Sequence, residues 1–477
     1  MAKVIGLFGI VKEFIKLIET EEFVMSVTIG IIAIILAFVL LIVLCFKGFS
    51  VMYVAPLCAI FIAVVCGLPL LDTMTGSFAD GVVTGAFLEG VVSFIVPLLP
   101  VFMLSILIGR IYIASGAATN IARTLMNALA KDGAVKRKQT VGVLICVAVS
   151  WIMCFGGIDT FCALFTLFPV ILTVCAEANI PRKYMIGMIT CGVSAAACTP
   201  GAPLVTNYVP MEILGTSSTA GLIPGLVALA IVAGGGAFYL ITSISKATAR
   251  GEVFTPGNVQ FAPIDSSRTY PPFIVALIPL VTVTVLFNII GNLTAALAIG
   301  LVLALVLLPR YIMPEEGSTK GRTLIEALNE GGKTTAECLL MGGIIAGMAS
   351  VIQATEAYSA LVDGVLSLDI PAAALVLIAV ALLVGLTGSP PVALRIILPT
   401  LVAASVAISP EALHRIATVT STTFDTLPFQ SPIIIMLAMA DLKHKDGYPP
   451  VMMCTVVMTG IASIVVALMF VLFPGLG

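Results

Sequence analysis

Residues 140–176 read TVGVLICVAVSWIMCFGGIDTFCALFTLFPVILTVCA, an apolar stretch that is interrupted once, at Phe155-Gly156-Gly157-Ile158-Asp159. The basic residues KRK precede it at 136–138, and PRK follows it at 181–183. Because Lys and Arg concentrate in the cytoplasmic loops of membrane proteins, both ends of the stretch are predicted to face the cytoplasm. A re-entrant hairpin satisfies both features, since the chain then enters from the cytoplasm, turns at the glycine pair and returns.

The composition of the whole chain places this hairpin in a membrane. Its 477 residues are 60% apolar and 10% charged, whereas soluble proteins carry about 25% charged residues. Further apolar stretches, such as 24–46, 51–71 and 451–473, have the roughly 20 residues that a helix needs to cross a bilayer. The net charge of −2, with no basic run, gives no indication of nucleic-acid binding. The sequence therefore predicts an all-α polytopic membrane protein.

A second stretch, residues 371–408, has the same form with opposite flanks. It is broken at Thr387-Gly388-Ser389-Pro390-Pro391, and the polar segment 363–370 before it contains acidic residues but no Lys or Arg. This hairpin is predicted to enter from outside, so that the two hairpins point towards each other.

The surrounding pattern also occurs twice. The helix after the first hairpin is broken at 199–203 and the helix after the second at 425–428, an offset of about 230 residues that also aligns Pro169 with Pro399. Each half is predicted to hold five spans and one hairpin, and the halves have opposite orientation. The predicted division is an amphipathic N-terminal helix at 1–23, a first inverted repeat at 24–245 with the hairpin 140–176, a cytoplasmic linker at 246–270, and a second repeat at 271–477 with the hairpin 371–408.

Matched helix breaks in inverted halves are the sequence pattern of a secondary transporter. Unpaired backbone groups in hydrocarbon cost several kcal/mol each, so irregular backbone persists at that depth only beside a protein-lined or watery cavity. The N-terminus of a half-helix suits a carboxylate, because it presents free N–H groups and partial positive charge. Unwound carbonyls can hold a cation.

Charged and polar side chains near the breaks supply the candidate site. Asp159 and Asp425 are predicted proton carriers or cation ligands, with helix N-caps as the alternative. Arg395 requires a partner at such depth, which is the substrate carboxylate, Asp425, Asp159 or another acid in a structural ion pair. The hydroxyl and amide candidates are Thr199, Thr206, Asn207, Thr422, Thr423, Gln430 and Ser431.

Histidine and cysteine give no indication of a metal or another cofactor. His414 and His444 are predicted to be surface residues, and the 11 cysteines, which form no CxxC pair, are predicted to pack within the bundle. No HExxH or GxSxG motif is present, so a membrane enzyme acting on a lipid-linked group is disfavoured.

Five segments resemble the gluconate permease family of proton symporters, a branch of an ion-transporter superfamily. They are FGGIDTFCALFTLFPV (155–170), EANIPRKYMIG (177–187), CTPGAPLVTNYVPMEILGT (198–216), ISPEALHRIATVTS (408–421) and DTLPFQSPIIIMLAMADLKHKDGY (425–448). The resemblance implies symport of a sugar acid or a short hydroxy acid in the bacterial inner membrane. It also implies scaffold and transport domains that move as an elevator, often within a homodimer. It adds these residues to the candidate substrate site: Gly156, Gly157, Thr160, Gly201, Thr387, Gly388, Ser389 and Thr426.

One departure from the family pattern bears on the substrate. Where the family pattern has a DTLPHNG-like run, this chain has Phe429, Gln430 and Ser431 after Pro428. The loss of a polar ring and a flexible turn favours a smaller or less hydroxylated acid than gluconate. Coupling to protons is preferred, sodium coupling is the first alternative, and a passive anion channel is the second.

Overall fold

A computed structural model of the chain describes residues 27–476 except 48, 80–81, 131–134, 159, 256–268, 315–317, 388, 429–432, 434–435 and 438. The predicted N-terminal helix at 1–23 and most of the predicted linker at 246–270 therefore lie outside the described residues. Nearly all of the described chain is helical. A two-residue antiparallel pair, β1 (Phe78–Ala79) and β2 (Val82–Val83), is the sheet structure that the described part contains.

The described residues of the first half form eleven α-helices. They are α1 (Val27–Phe46), α2 (Val51–Val65), α3 (Leu70–Met74), α4 (Ala86–Ser115), α5 (Ala117–Ala130), α6 (Val135–Phe155), α7 (Thr160–Glu177), α8 (Met185–Cys198), α9 (Val205–Leu214), α10 (Leu222–Leu229) and α11 (Gly236–Ala249). A π-helical segment, Ala230–Gly235, joins α10 to α11 in one continuous span.

The second half contains nine more α-helices among the described residues. They are α12 (Phe273–Ile290), α13 (Leu293–Leu307), α14 (Lys320–Gln353), α15 (Glu356–Leu366), α16 (Ala372–Thr387), α17 (Pro390–Ala403), α18 (Pro410–Ser421), α19 (His444–Met452) and α20 (Met458–Leu472). The π-helical segment Met453–Val457 joins α19 to α20. Short 3₁₀ turns occupy Arg182–Tyr184, Pro309–Tyr311 and Pro474–Leu476.

Six of these helical spans are long and apolar enough to cross a membrane. They are Ala86–Ser115, Val135–Phe155, Leu222–Ala249, Phe273–Ile290, Lys320–Gln353 and His444–Leu472. The described residues also form shorter apolar helices, such as Val27–Leu41 and Leu293–Leu307. The predicted all-α, multi-pass character agrees with this arrangement.

Helices α4 and α14 pack against each other along most of their length. Small residues permit the close approach, as is usual between helices in membranes. A Cβ atom placed on Gly347 would lie 2.7 Å from the carbonyl oxygen of Phe87, and one placed on Gly343 would lie 2.9 Å from Ile95 Cδ1. Glycine at 343 and 347 therefore lets the backbones of α4 and α14, the two longest helices that the structure describes, approach each other closely.

The helix ends that matter for the site lie where glycine and proline interrupt apolar runs. Helix α6 ends at Phe155 and α7 begins at Thr160, while α16 ends at Thr387 and α17 begins at Pro390. Helices α8 and α9 are separated by residues 199–204, which we call the first break. Helix α18 ends at Ser421 and is followed by turns over residues 422–428, which we call the second break.

Candidate functional site

The tip between α6 and α7 is held by hydroxyl groups from neighbouring helices. Ser105 Oγ donates to the carbonyl of Gly157 at 2.8 Å, and Thr284 Oγ1 donates to the carbonyl of Phe155 at 2.6 Å. These bonds satisfy carbonyls that a helix C-terminus otherwise leaves unpaired. Gly157 adopts a φ of +87°, which only glycine takes readily. The turn is therefore locked between α4 and α12.

Both glycines at this tip are buried in close packing. A Cβ atom on Gly157 would lie 2.5 Å from Val283 Cγ1, and one on Gly156 would collide with Leu280. In this conformation Gly156 and Gly157 pack directly against α12 and do not line open space. Asp159 lies outside the described residues, and the structure gives only the backbone of Thr160, at the start of α7.

The first break is buried, and its polar groups are paired within the protein. Thr199 Oγ1 accepts from Trp151 Nε1 at 3.0 Å and donates to the carbonyl of Ala195 at 2.7 Å. The N–H of Gly201 donates to the carbonyl of Ser218 at 2.9 Å, and its carbonyl accepts from Asn288 Nδ2 at 2.8 Å. The irregular backbone is thus compensated by side chains from α6 and α12 and by the loop before α10.

That loop, residues 215–221, folds over the first break, and we call it the strap. The carbonyl of Ser218 is its main attachment, because it accepts from Gly201 N–H, from Asn207 Nδ2 at 2.9 Å and from Arg415 Nη2 at 3.4 Å. Ser218 Oγ also donates to Asn288 Oδ1 at 2.8 Å. The strap is therefore fastened to α9, α12 and α18 at once.

Asn207 and His414 form the polar centre beneath the strap, and both are fully buried. His414 Nε2 donates to Asn207 Oδ1 at 2.9 Å, while its Nδ1 accepts from Thr216 Oγ1 at 2.6 Å, an assignment that corresponds to a neutral imidazole. The prediction that His414 is a surface residue is wrong. The strap covers it, and its burial follows from tertiary contacts that the local sequence does not encode.

Arg415, the next residue of α18, was not among the predicted site residues. Its side chain has 0% exposure. Nε donates to the carbonyl of Ala220 at 2.8 Å and Nη2 lies 3.5 Å from Asn207 Oδ1, but Nη1 is buried with no hydrogen-bond partner. None of the ion pairs formed by the described residues includes Arg415.

The burial of Arg415 could have been inferred from the composition of α18. Residues 412–421 are all buried, yet four of them carry hydroxyl groups or an imidazole and one is arginine. A helix of such low hydropathy between an apolar hairpin and a broken helix cannot face lipid and must be enclosed by protein.

The second hairpin presents a different tip. Ser389 holds the N-cap position of α17, and Pro390 and Pro391 fill its first two positions. Proline has no N–H group, so this helix N-terminus offers an anion fewer donors than an ordinary helix N-terminus does. Of the other two predicted residues here, Gly388 lies outside the described residues, and Thr387 is described only as the last residue of α16.

Arg395 on α17 has a protein partner. Its Nη2 lies 3.1 Å from Glu212 Oε2 on α9, with side-chain exposures of 22% and 43%. In this structure Arg395 therefore forms an ion pair with Glu212 rather than with Asp159 or Asp425, and its contact with substrate stays a prediction. The pair links the second hairpin to the helix that follows the first break.

The second break is lined by hydroxyl groups of α20 and the π-helical segment before it. Thr423 Oγ1 lies 3.3 Å from Ser463 Oγ, and Thr426 is hydrogen-bonded to Thr455. His444 Nε2 donates to the carbonyl of Pro428 at 3.0 Å. Asp425 is half-buried in the same turn. Gln430 and Ser431 lie outside the described residues.

The structure thus divides the predicted residues into three groups. Thr199, Gly201 and Asn207 belong to the network beneath the strap, Arg395 pairs with α9, and Thr423 and Thr426 contact α20. Whether any of them binds substrate stays a prediction. No cluster of three His, Cys, Asp or Glu side chains suited to a metal occurs among the described residues.

Comparison with known proteins supports a transport function. No protein-family model matches the sequence. The chain is 24% identical over 491 residues to a Bacillus subtilis (strain 168) protein named uncharacterized transporter YxjC, and the alignment covers 92% of this chain and 98% of that protein. Together with six membrane-crossing helical spans, this similarity supports a multi-pass membrane protein that acts in transport.

The fold was also compared with solved structures. The crystal structure of the Alcanivorax borkumensis YdaH transporter, described as having an unusual topology, matches with a TM-score of 0.47 and 13% sequence identity. The match covers 89% of this chain and 99% of that chain.

Proposed function

We propose that the protein is a secondary active symporter of the bacterial inner membrane that carries a small organic carboxylate together with a cation. The substrate class is a sugar acid or a short hydroxy acid, and the preferred cation is a proton. One observation carries the proposal: helices are interrupted at 156–158, 199–204 and 422–428 inside an otherwise apolar bundle. Such interruptions persist at membrane depth only where they are enclosed by protein or line a watery cavity, and matched interruptions in two halves are the pattern of a transporter's binding site.

The relation between the two halves supports an inverted repeat. The last span of each half contains a π-helical segment, Ala230–Gly235 in the first and Met453–Val457 in the second, and the two segments contact each other. π-Helical segments are rare and frequently mark functional sites. Their matched positions fit two halves of common design, with α4 and α14 as the rigid pair in a scaffold that an elevator would require.

The two breaks suit different ions. Buried positive charge at Arg415 near the first break favours an anion, whereas Asp425 at the second break favours a cation or a proton. Asp159, at the tip of the first hairpin, is the second acid proposed for cation coupling. Sodium remains the alternative coupling ion, because Thr423, Thr426, Thr455 and Ser463 place four hydroxyl oxygens at the second break, and oxygen ligands suit hard cations.

Reconstitution into proteoliposomes tests the proposal. Uptake of labelled glycerate, 3-hydroxybutyrate and gluconate is measured with an inward proton gradient, an inward sodium gradient or neither, with empty liposomes as the control. The proposal predicts accumulation above the external concentration that requires the proton gradient and disappears with a protonophore. Dependence on sodium alone selects the alternative coupling ion. Equilibration without accumulation in every condition contradicts symport and indicates a channel, since a channel cannot concentrate its solute.

A further inference from the structure

The guanidinium of Arg415 has one edge that the protein does not fully hydrogen-bond. Nε is anchored to Ala220 by a bond of 2.8 Å, whereas the two contacts of Nη2 are long, 3.4 Å to Ser218 and 3.5 Å to Asn207, and Nη1 has none. Hydrogen bonds of N–H to oxygen are usually 2.7–3.2 Å long. The Nη1–Nη2 edge is therefore the weakly held side of a side chain that is otherwise fixed.

The stem of Arg415 is held in place by close packing. A Cβ atom on Gly221 would lie 2.6 Å from Arg415 Cβ, and one on Gly225 would collide with Pro200 and lie 3.2 Å from Arg415 Cδ. The Arg415 side chain thus passes between α10 and Pro200 of the first break, and this packing holds it in position. Such a pre-positioned fork costs little entropy when it binds a ligand.

A fully buried arginine without an acidic partner is expensive. Charges inside membrane proteins are almost always paired or lie on substrate pathways. The described carboxylates near the two breaks do not pair with Arg415, since Glu212 is engaged by Arg395 and no ion pair includes Arg415. Neutral carbonyls supply part of the compensation, and an anion with two oxygen atoms fits what is left.

We propose that Arg415 is the anchor for the substrate carboxylate, and that the strap hides this anchor in the present conformation. The inference rests on the proposed function and identifies the residue that recognises the anionic group. The carboxylate binds the Nη1–Nη2 edge and replaces the carbonyl of Ser218 and the amide oxygen of Asn207. Only the Ser218 end of the strap has to move, because the bond from Nε to Ala220 is compatible with the bound state.

Binding to the purified full chain tests this assignment. Affinities for glycerate, 3-hydroxybutyrate and gluconate, and for the primary amide of each, are measured by calorimetry on wild type, Arg415→Gln and Arg415→Lys. Arg322→Gln, which removes an exposed arginine on α14, is the matched control. A charge-assisted pair predicts that Arg415→Gln weakens acid binding by about ten- to a hundred-fold. The affinity for the amides does not change, and Arg415→Lys is intermediate because lysine lacks the planar fork.

A second variant keeps the test decisive if Arg415→Gln does not fold. Cys198 is buried at the end of α8, which contacts α18, and it lies two residues before Pro200, which packs beside Arg415 at Gly225. Cys198→Asp therefore introduces an acid near Arg415 that competes with the substrate, and Cys198→Ser is its neutral control. The proposal predicts weaker acid binding in Cys198→Asp than in Cys198→Ser, with the unfolding temperature kept or raised. A merely structural arginine would be satisfied by the new acid without any change in affinity.

The outcomes separate this inference from the proposed function. If wild type binds an acid and both Arg415→Gln and Cys198→Asp bind it equally well, the anchor is wrong while carboxylate transport stands. If wild type binds and transports only the neutral amides, the proposed function fails and the anchor fails with it.

Discussion

The first and second breaks interrupt the helices that follow the two hairpins, yet they differ in chemistry. At the first break, buried Asn207, His414 and Arg415 are tied to the strap by a dense set of hydrogen bonds. At the second break, residues 424–428 are only half-buried, and Thr423 and Thr426 are each hydrogen-bonded to a single hydroxyl group across the break. One break is sealed and cationic, while the other is looser, hydroxyl-lined and acidic.

In the proposed symporter, this difference corresponds to different roles for two segments that the predicted repeat makes equivalent in position. Symport requires one place that favours an anion and another that favours a cation, and identical breaks would compete for the same ion. Helix α18 connects them, since its middle carries His414 and Arg415 to the first break and its end leads into the second. A movement of α18 would therefore change the positions of residues at both breaks.

The largest effect is expected at the acid of the second break. Asp425→Asn removes the charge that a proton or cation would neutralise, so gradient-driven accumulation in proteoliposomes should be lost. The matched control is Asp441→Asn, an exposed acid 3.8 Å from Arg182, which should accumulate substrate like wild type. Undiminished accumulation by Asp425→Asn would remove the coupling role from the second break.

A large loss of stability is expected at the first break. Asn207→Ala deletes donors to Ala202 and Ser218 and the acceptor of His414, and it leaves buried groups unpaired. The expected cost is about 2–3 kcal/mol, seen as a lower unfolding temperature in detergent. An unchanged unfolding temperature would show that the strap network does not stabilise this conformation.

A smaller loss is expected for the corresponding change at the second break. Thr423→Val keeps the shape of the side chain and removes its contact with Ser463, so the expected cost is about 1 kcal/mol. Measured beside Asn207→Ala under the same conditions, it should lower the unfolding temperature less. A loss equal to or greater than that of Asn207→Ala would reverse the assignment of sealed and loose breaks.

The smallest effect on stability is expected at an ion pair outside both breaks, which serves as the reference for the larger losses. Lys183 Nζ lies 2.5 Å from Glu252 Oε2, and its hydrogen bond, assisted by Arg250, lowers the pKa of Glu252 below the ordinary value of 4.5. A lowered folded-state pKa contributes stability above that ordinary value, and the contribution is lost as the pH falls through the lowered pKa.

Lys183→Met should therefore cost less than about 1 kcal/mol at neutral pH, because exposed pairs are screened by solvent. The difference in unfolding temperature from wild type should shrink as the pH is lowered below 4.5. A difference that grows towards acid pH would contradict the sign of the pKa shift.

The sequence predicted the helix interruptions better than their surroundings. Gly156, Gly157, Pro200 and Pro390 mark helix ends because glycine and proline act locally, through φ and the missing N–H. The apolar helices were predictable for the same reason, because hydropathy is a property of each local stretch of sequence. The cysteines were predicted to pack within the bundle, and of those that the structure describes all but Cys66 are buried.

Contacts between distant segments were not predictable in this way. The ion pair of Arg395 with Glu212 joins residues 183 positions apart, and the bonds of Arg415 to the strap join residues 195 or more positions apart. Sequence could say that Arg395 needs an acid but not which one. The low hydropathy of α18 indicates that protein encloses it, but the sequence did not show that the strap, a polar loop that would otherwise be assigned to the surface, is what buries His414.

The central proposal is that the two halves of the chain are inverted. The two hairpins then enter the membrane from opposite sides, and the interrupted helices of both halves meet in one pocket. Single-cysteine labelling in right-side-out and inverted vesicles tests it directly, on a cysteine-free background with Lys136→Cys and Glu177→Cys at the first hairpin and Asp369→Cys and Ser405→Cys at the second. The account predicts that the first pair reacts from the cytoplasmic side and the second pair from the opposite side. If the two members of either pair react from opposite faces, that hairpin is a full crossing and the shared pocket is wrong.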